Sequence, residues 1–185
     1  PQKDGVEVPT EAEFAKLGRA ALSVTPGADS QTNSATELLS KVPAAGKFAE
    51  IAQHQASDTY GGWLENGVRF NYRFMDYKKN SATVNISVAG ATLHETKANR
   101  GISEVAGIAL GKPATSTLTS TDIRDLMNGK QVDTRGGAGV DTFSINISGN
   151  PDDLEDGFKV AYLLLTDAKI EQAAFDQWKT RQLQV

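Results

Sequence analysis

The sequence predicts an α+β fold with a mainly antiparallel sheet of at least four strands and helices packed on one face. Three observations carry this. Val68, Phe70, Tyr72 and Phe74 alternate with polar residues, as do Val84, Ile86 and Val88, and again Phe143, Ile145 and Ile147. That period of two belongs to strands with one buried face. Between and after these runs, capping residues introduce segments of helical spacing. Turn-forming residues separate the strands by short distances, which favours antiparallel neighbours.

Length and composition set the outer limits. A chain of 185 residues suits one ordinary domain plus an extra segment, and at this size about 70% of the unfolded surface can be buried without a metal or disulfide staple. The formal net charge is -4, with Lys and Arg scattered along the chain, so nucleic acid is not an expected partner. No apolar run approaches the roughly 18 residues of a membrane span, the longest lying around Ala161 to Leu165. Membrane insertion by this chain is therefore not expected. The absence of cysteine removes disulfides, thiolate metal sites and cysteine nucleophiles together. Pro1 to Gly5 lack the basic and apolar regions of a signal peptide.

The elements follow in order. Thr10 and Glu13 form a capping-box pattern ahead of Phe14, Leu17 and Ala21, predicting a helix over residues 10 to 22. Residues 23 to 62 are rich in Ser, Thr, Gly, Ala and Pro with weak periodicity, and read as a linker. A division follows into an N-terminal helix and linker, residues 1 to 61, and an α+β domain, residues 62 to 185. Strands are predicted near 66 to 75 and 82 to 90, joined as a hairpin across Asp76 to Ser81, then near 130 to 136 and 141 to 149. Residues 97 to 111 read as a helix ending at Gly111 with Pro113 beyond, and Thr119 and Asp122 cap a short helix through Leu126. Asn150, with Pro151 behind it and Asp152, Asp153 and Glu155 in the first turn, starts a helix that stacks Leu154, Phe158, Ala161 and Leu165. A last helix begins near Glu171 and sets Ala174, Phe175 and Trp178 on one side.

Several arrangements invite chemistry and fail on spacing. His94 and Glu95 open a zinc-binding H-E-x-x-H motif, but the second histidine would be Ala98. His54 has Gln53 and Gln55 beside it and no carboxylate near in sequence, so both histidines read as surface residues. The Arg135 to Gly139 segment lacks the Lys-Ser/Thr ending of a phosphate loop and reads as a flexible hairpin connection. The acidic cluster Asp152, Asp153, Glu155 and Asp156 lacks a calcium-loop spacing and is explained by the positive end of a helix. No G-x-S-x-G elbow occurs. Asn85-Ile86-Ser87 and Asn146-Ile147-Ser148 match the glycan acceptor pattern but fall inside predicted strands.

One resemblance emerges when the segments are read in order. Leu64-Glu65-Asn66-Gly67-Val68-Arg69-Phe70, Ala82 to Gly90, and Gly101-Ile102-Ser103 resemble the opening of an insulinase/pitrilysin-type zinc metallopeptidase domain. Gly149 to Asp156, with Leu163 to Asp167 and Phe175, resembles the same family's second strand-to-helix segment. Active domains of that family carry H-x-x-E-H on the helix that starts at this glycine. Carried over position by position, the motif falls on Glu104, Gly107 and Ile108, none of which is the required residue. The family's further Glu ligand comes from a window matching Trp178 to Val185, which contains no carboxylate.

The resemblance therefore implies a non-catalytic domain from the second, C-terminal half of a bacterial peptidase, cut short at its C-terminus. It implies no cofactor here and a zinc ion in the catalytic half of the parent. The implied partners are that catalytic half or a partner subunit, and a peptide substrate. The alternative is a wholly inactive parent acting as a binding or assembly scaffold. For long bacterial members the resemblance implies a periplasmic or membrane-associated location.

Overall fold

The computed structural model describes residues 10–23 and 35–184, in two compact units that divide after Ser34. The first unit contributes one helix, α1 (Glu11–Ser23). Its capping box forms as the sequence requires: the Thr10 N–H donates to the Glu13 carboxylate at 2.7 Å, and the Glu13 N–H donates back to Thr10 Oγ1 at 3.4 Å. None of its residues is buried.

The second unit is α+β with antiparallel pairing throughout its sheets, but its strands form two sheets of three and not one sheet of four or more. The first sheet joins β1 (Phe48–His54), β2 (Thr59–Leu64) and β3 (Arg69–Tyr72) in that order. The second joins β4 (Ala82–Ala89), β6 (Thr142–Gly149) and β5 (Val132–Ala138), with β6 in the centre. The helices are α2 (Ile102–Gly111), α3 (Ser120–Leu126), α4 (Leu154–Thr166) and α5 (Gln172–Gln182).

Three sequence expectations about individual strands also need correction. The predicted hairpin between residues 68 to 74 and 82 to 88 does not exist, because β3 pairs with β2 (Trp63 opposite Arg69, Tyr60 opposite Tyr72) and β4 pairs with β6. The Leu64 to Val68 turn explains this. The Leu64 N–H donates to the Val68 carbonyl at 2.8 Å, the Val68 N–H donates to Asn66 Oδ1 at 3.2 Å, and Gly67 supplies the positive φ of 84° that the tight reversal needs. The Asn-Gly pair thus closes the β2–β3 hairpin before residues 73 to 81 are reached.

The second correction concerns residues 23 to 62. Over the described part, 35 to 62, they include all of β1 and most of β2, and Leu38 is buried in the core with Ala35 and Leu39 packed beside it. Third, Arg135 to Ala138 belongs to β5 and pairs with Phe143 to Asn146, so it is ordered strand and not a flexible connection. The reversal is left to Gly139 to Asp141.

The core is where the second sheet meets α4. Ile145 and Ile147 from β6 lie with Val160, Ala161, Leu163 and Leu164 of α4, Leu110 of α2, and Leu118 and Ile123 around α3. On the same strands Thr83, Asn85, Ser87 and Ser144 are exposed. The α4 face differs from the predicted one, since Phe158 and Leu165 are exposed while Gly157, Val160 and Leu164 turn inward. Gly157 makes that choice possible. A Cβ there would lie 2.5 Å from Ile147 Cγ2 and 2.9 Å from Val132 Cγ2, so only glycine lets the first turn of α4 approach the sheet this closely. Asn150 caps as expected, its Oδ1 accepting from the Asp152 N–H at 3.2 Å, though Pro151–Asp153 form a short 3-10 turn before α4 begins at Leu154.

Candidate functional site

The helix to which the resemblance directs attention, α2, is started by an unusual cap. Gly101 at its N-cap takes φ 87° and has no side chain to offer, so the orphan amides of the first turn find a partner elsewhere. Glu95 fills that role: its carboxylate accepts from the Gly101 N–H at 2.8 Å and from the Ser103 N–H at 2.9 Å. Those backbone bonds hold the Glu95 carboxyl below its ordinary pKa, first through Gly101 and then Ser103, with a smaller contribution from Arg100. Glu95 is thus a capping residue reaching across the 95 to 101 loop. It stands where a broken H-E-x-x-H motif would place a general base.

Glu104, Gly107 and Ile108 fall along one side of α2, since positions four apart are stacked by one helical turn. Glu104 is exposed, and Gly107 and Ile108 are half-buried; the core positions of this helix are Ser103, Ala109 and Leu110. A Cβ at Gly107 would meet no atom within 4 Å. Gly107 and Ile108 thus lie at the boundary of the core and not within it.

The Glu104 carboxylate accepts a hydrogen bond from the Gln182 side-chain amide at 2.7 Å. Gln182 closes α5 and lies within the Trp178 to Val185 window. A second tie between the same helices runs from Lys112 Nζ to Gln177 Oε1 at 2.8 Å. Neither contact is legible in the sequence, because 78 residues separate Glu104 from Gln182 and Gln has no periodic signature.

The remaining sequence candidates do not lie on α2. His94 ends a short 3-10 turn (Ala91–His94) and is exposed, while His54 ends β1 opposite Thr59 and is also exposed. Asn85 and Asn146 face each other on β4 and β6, the Asn146 amide donating to Asn85 Oδ1 at 2.9 Å. Most of the acidic cluster at the start of α4 is already partnered. Asp156 pairs with Lys130 at 2.7 Å and Lys159 at 3.0 Å, Glu155 pairs with Lys159 at 3.0 Å, and Asp153 accepts the Gln131 N–H at 2.8 Å. The Lys130 hydrogen bond is the main reason the Asp156 carboxyl lies below its ordinary pKa, and Asp156 in turn raises Lys130. Among the described residues, no group of three or more His, Asp or Glu is arranged to hold a metal ion.

No protein-family model matches this chain, and no curated protein matches it. Solved structures share its fold, two proteases among them. The ferredoxin protease FusC, in complex with Arabidopsis ferredoxin, aligns over 90% of this chain with a TM-score of 0.67 at 14% identity. The periplasmic protease PqqL from Escherichia coli aligns over 95% with a TM-score of 0.71 at 12% identity. This chain spans only 18% of the first structure's chain and 19% of the second's. Both are proteases, so the chain has a fold that recurs as a part of much longer proteases.

Proposed function

We propose that this chain is a non-catalytic domain of a zinc-dependent peptidase, one that helps shape the substrate chamber and packs against the catalytic half. The observation that carries the reading is the pair of helices α2 and α5. In the resemblance, these supply two histidines, a catalytic glutamate and a distal carboxylate ligand. Here they offer Glu104, Gly107 and Ile108 on α2 and, from the distal window, the neutral amide of Gln182 bonded to Glu104. Zinc needs three protein ligands and an open position for catalysis, and a carboxylate already engaged by an amide is one ligand at most. The shared fold with two much longer proteases supports the placement within a larger peptidase. The second reading, an inactive parent serving as a scaffold, draws on the same two helices. An H-x-x-E-H motif elsewhere in the full-length gene favours the peptidase, and its absence favours the scaffold.

The direct test restores the ligands. The triple variant Glu104→His, Gly107→Glu, Ile108→His should bind zinc weakly and show no zinc-dependent cleavage of a fluorogenic peptide. Orienting partners for the new imidazoles are missing, and such partners are worth about 10- to 100-fold in metal affinity or activity. Adding Gln182→Glu should tighten zinc binding further, because Gln182 already reaches residue 104. Efficient turnover by the triple variant alone would refute the non-catalytic reading.

A further inference from the structure

Residues 69 to 79, Arg-Phe-Asn-Tyr-Arg-Phe-Met-Asp-Tyr-Lys-Lys, depart from the rest of the chain in charge. They carry four cations (Arg69, Arg73, Lys78 and Lys79) against the single carboxylate of Asp76, a local net charge of +3 in a protein of net charge -4. None of the four cations forms an ion pair among the described residues. After β3 ends at Tyr72 the chain crosses from one sheet to the other, and it exposes its large side chains on the way: Phe74 is 70% exposed, Met75 52% and Tyr77 84%. Tyr72, 55% exposed, packs beside Tyr60 with ring centroids 6.4 Å apart, and Arg69 is held over the Trp63 ring at 5.8 Å.

Single exposed apolar residues need no explanation. Aromatic, Met and Arg side chains grouped within one short segment are a different case, because these are the types enriched where proteins bind one another. The outer face of α4 also exposes Phe158 and Tyr162, but Glu155 and Lys159 beside them are of opposite sign and pair with each other. The 69 to 79 segment, by contrast, joins three strongly exposed apolar side chains to an unpaired net charge of +3.

We infer that the Arg69 to Lys79 segment is a docking surface for an acidic polypeptide segment that also carries apolar side chains. The cations steer and hold the carboxylates, and Phe74, Met75 and Tyr77 take up the apolar groups. An anionic bilayer fits less well, since it would draw Asp76 toward like charge together with its aromatic neighbours, whereas a polypeptide can leave Asp76 in water. The inference does not depend on the peptidase reading, for it uses neither α2 nor α5.

The test uses the full chain and fluorescence anisotropy with two labelled synthetic peptides, one alternating Glu and Leu and one with Lys in place of every Glu. A single-stranded oligonucleotide and vesicles of phosphatidylserine and phosphatidylcholine serve as competing anionic probes. The acidic peptide should bind with a dissociation constant on the order of 10 μM, and the basic peptide should not. Raising salt from about 50 to about 300 mM should weaken binding several-fold. The charge-reversal variant Arg73→Glu, Lys78→Glu, Lys79→Glu should weaken it at least about tenfold, and Phe74→Ser with Tyr77→Ser should weaken it without changing the salt dependence. All these side chains are exposed, so circular dichroism should show both variants folded. Equal binding of the two peptides, indifference to charge reversal, or binding of only the oligonucleotide or the vesicles would overturn the inference.

Discussion

Replacing Gly157 by alanine tests whether the approach of α4 to the second sheet is as close as the structure has it. The new methyl would lie 2.5 Å from Ile147 Cγ2, 2.9 Å from Val132 Cγ2 and 3.3 Å from Thr134 Oγ1. Comfortable carbon contacts are about 3.5 to 4.0 Å. Ile147 cannot swing away, since it is fully buried among Ile145, Val160 and Leu164, and Thr134 Oγ1 already donates to the Gly157 carbonyl at 3.2 Å. Inserting a methyl into such a packed region costs about 1–3 kcal/mol, while Gly→Ala within a helix returns about 1 kcal/mol of propensity. The control is Gly107→Ala, where the propensity gain is similar and no atom stands within 4 Å of the new methyl. Propensity largely cancels between the two variants, so their difference isolates the overpacking at about 1–3 kcal/mol. With a urea slope of about 1–3 kcal/mol per molar, the midpoints should separate by about 1 M, Gly107→Ala above the parent and Gly157→Ala at or below it. Midpoints moving together, in either direction, would refute the close approach of α4 to β5 and β6.

The remaining expectations address other parts of the molecule. Leu38→Ala should cost about 2–5 kcal/mol by urea denaturation if residues 35 to 39 are part of the core; a loss near zero would return that stretch to a linker. Glu95→Gln should lower the thermal midpoint at pH 7, because the carboxylate that caps α2 is lost. The folded pKa of Glu95 lies below its ordinary value, so its contribution is present above the unfolded pKa and disappears as pH falls through the folded one. The parent and Glu95→Gln should therefore converge in stability toward pH 3, and a constant gap from pH 3 to 7 would contradict the capping role. Metal analysis of protein purified without chelator should find far less than one zinc per chain, and stoichiometric zinc would remove the basis of the proposed function.

Local chemistry made much of this fold legible. The Thr10–Glu13 and Thr119–Asp122 boxes were readable because a cap is formed by residues three apart, and both form as written. The alternation of Ile145 and Ile147 with Ser144 and Asn146 identified β6 and its buried face, since a strand's two faces differ every second residue. Alternation names a face and not a partner. Phe70 and Tyr72 read equally well beside β4 or β2, and the nine residues from 73 to 81 are long enough to permit either. The Leu64 to Val68 turn settled the choice.

β1 was invisible for a related reason. All seven of its residues are exposed, so no buried face imposed a pattern on Phe48 to His54. On α4, Phe158, Ala161 and Leu165 suggested one face, yet of these only Ala161 is buried, and Gly157 joins it inward because a residue without a side chain lets the helix backbone come close to the sheet. That Glu104, Gly107 and Ile108 do not spell H-x-x-E-H can be read along the chain, because a motif is a local spacing. That the Glu104 carboxylate is held by Gln182 is a matter of how α2 and α5 pack, and a contact across 78 residues leaves no trace in either segment.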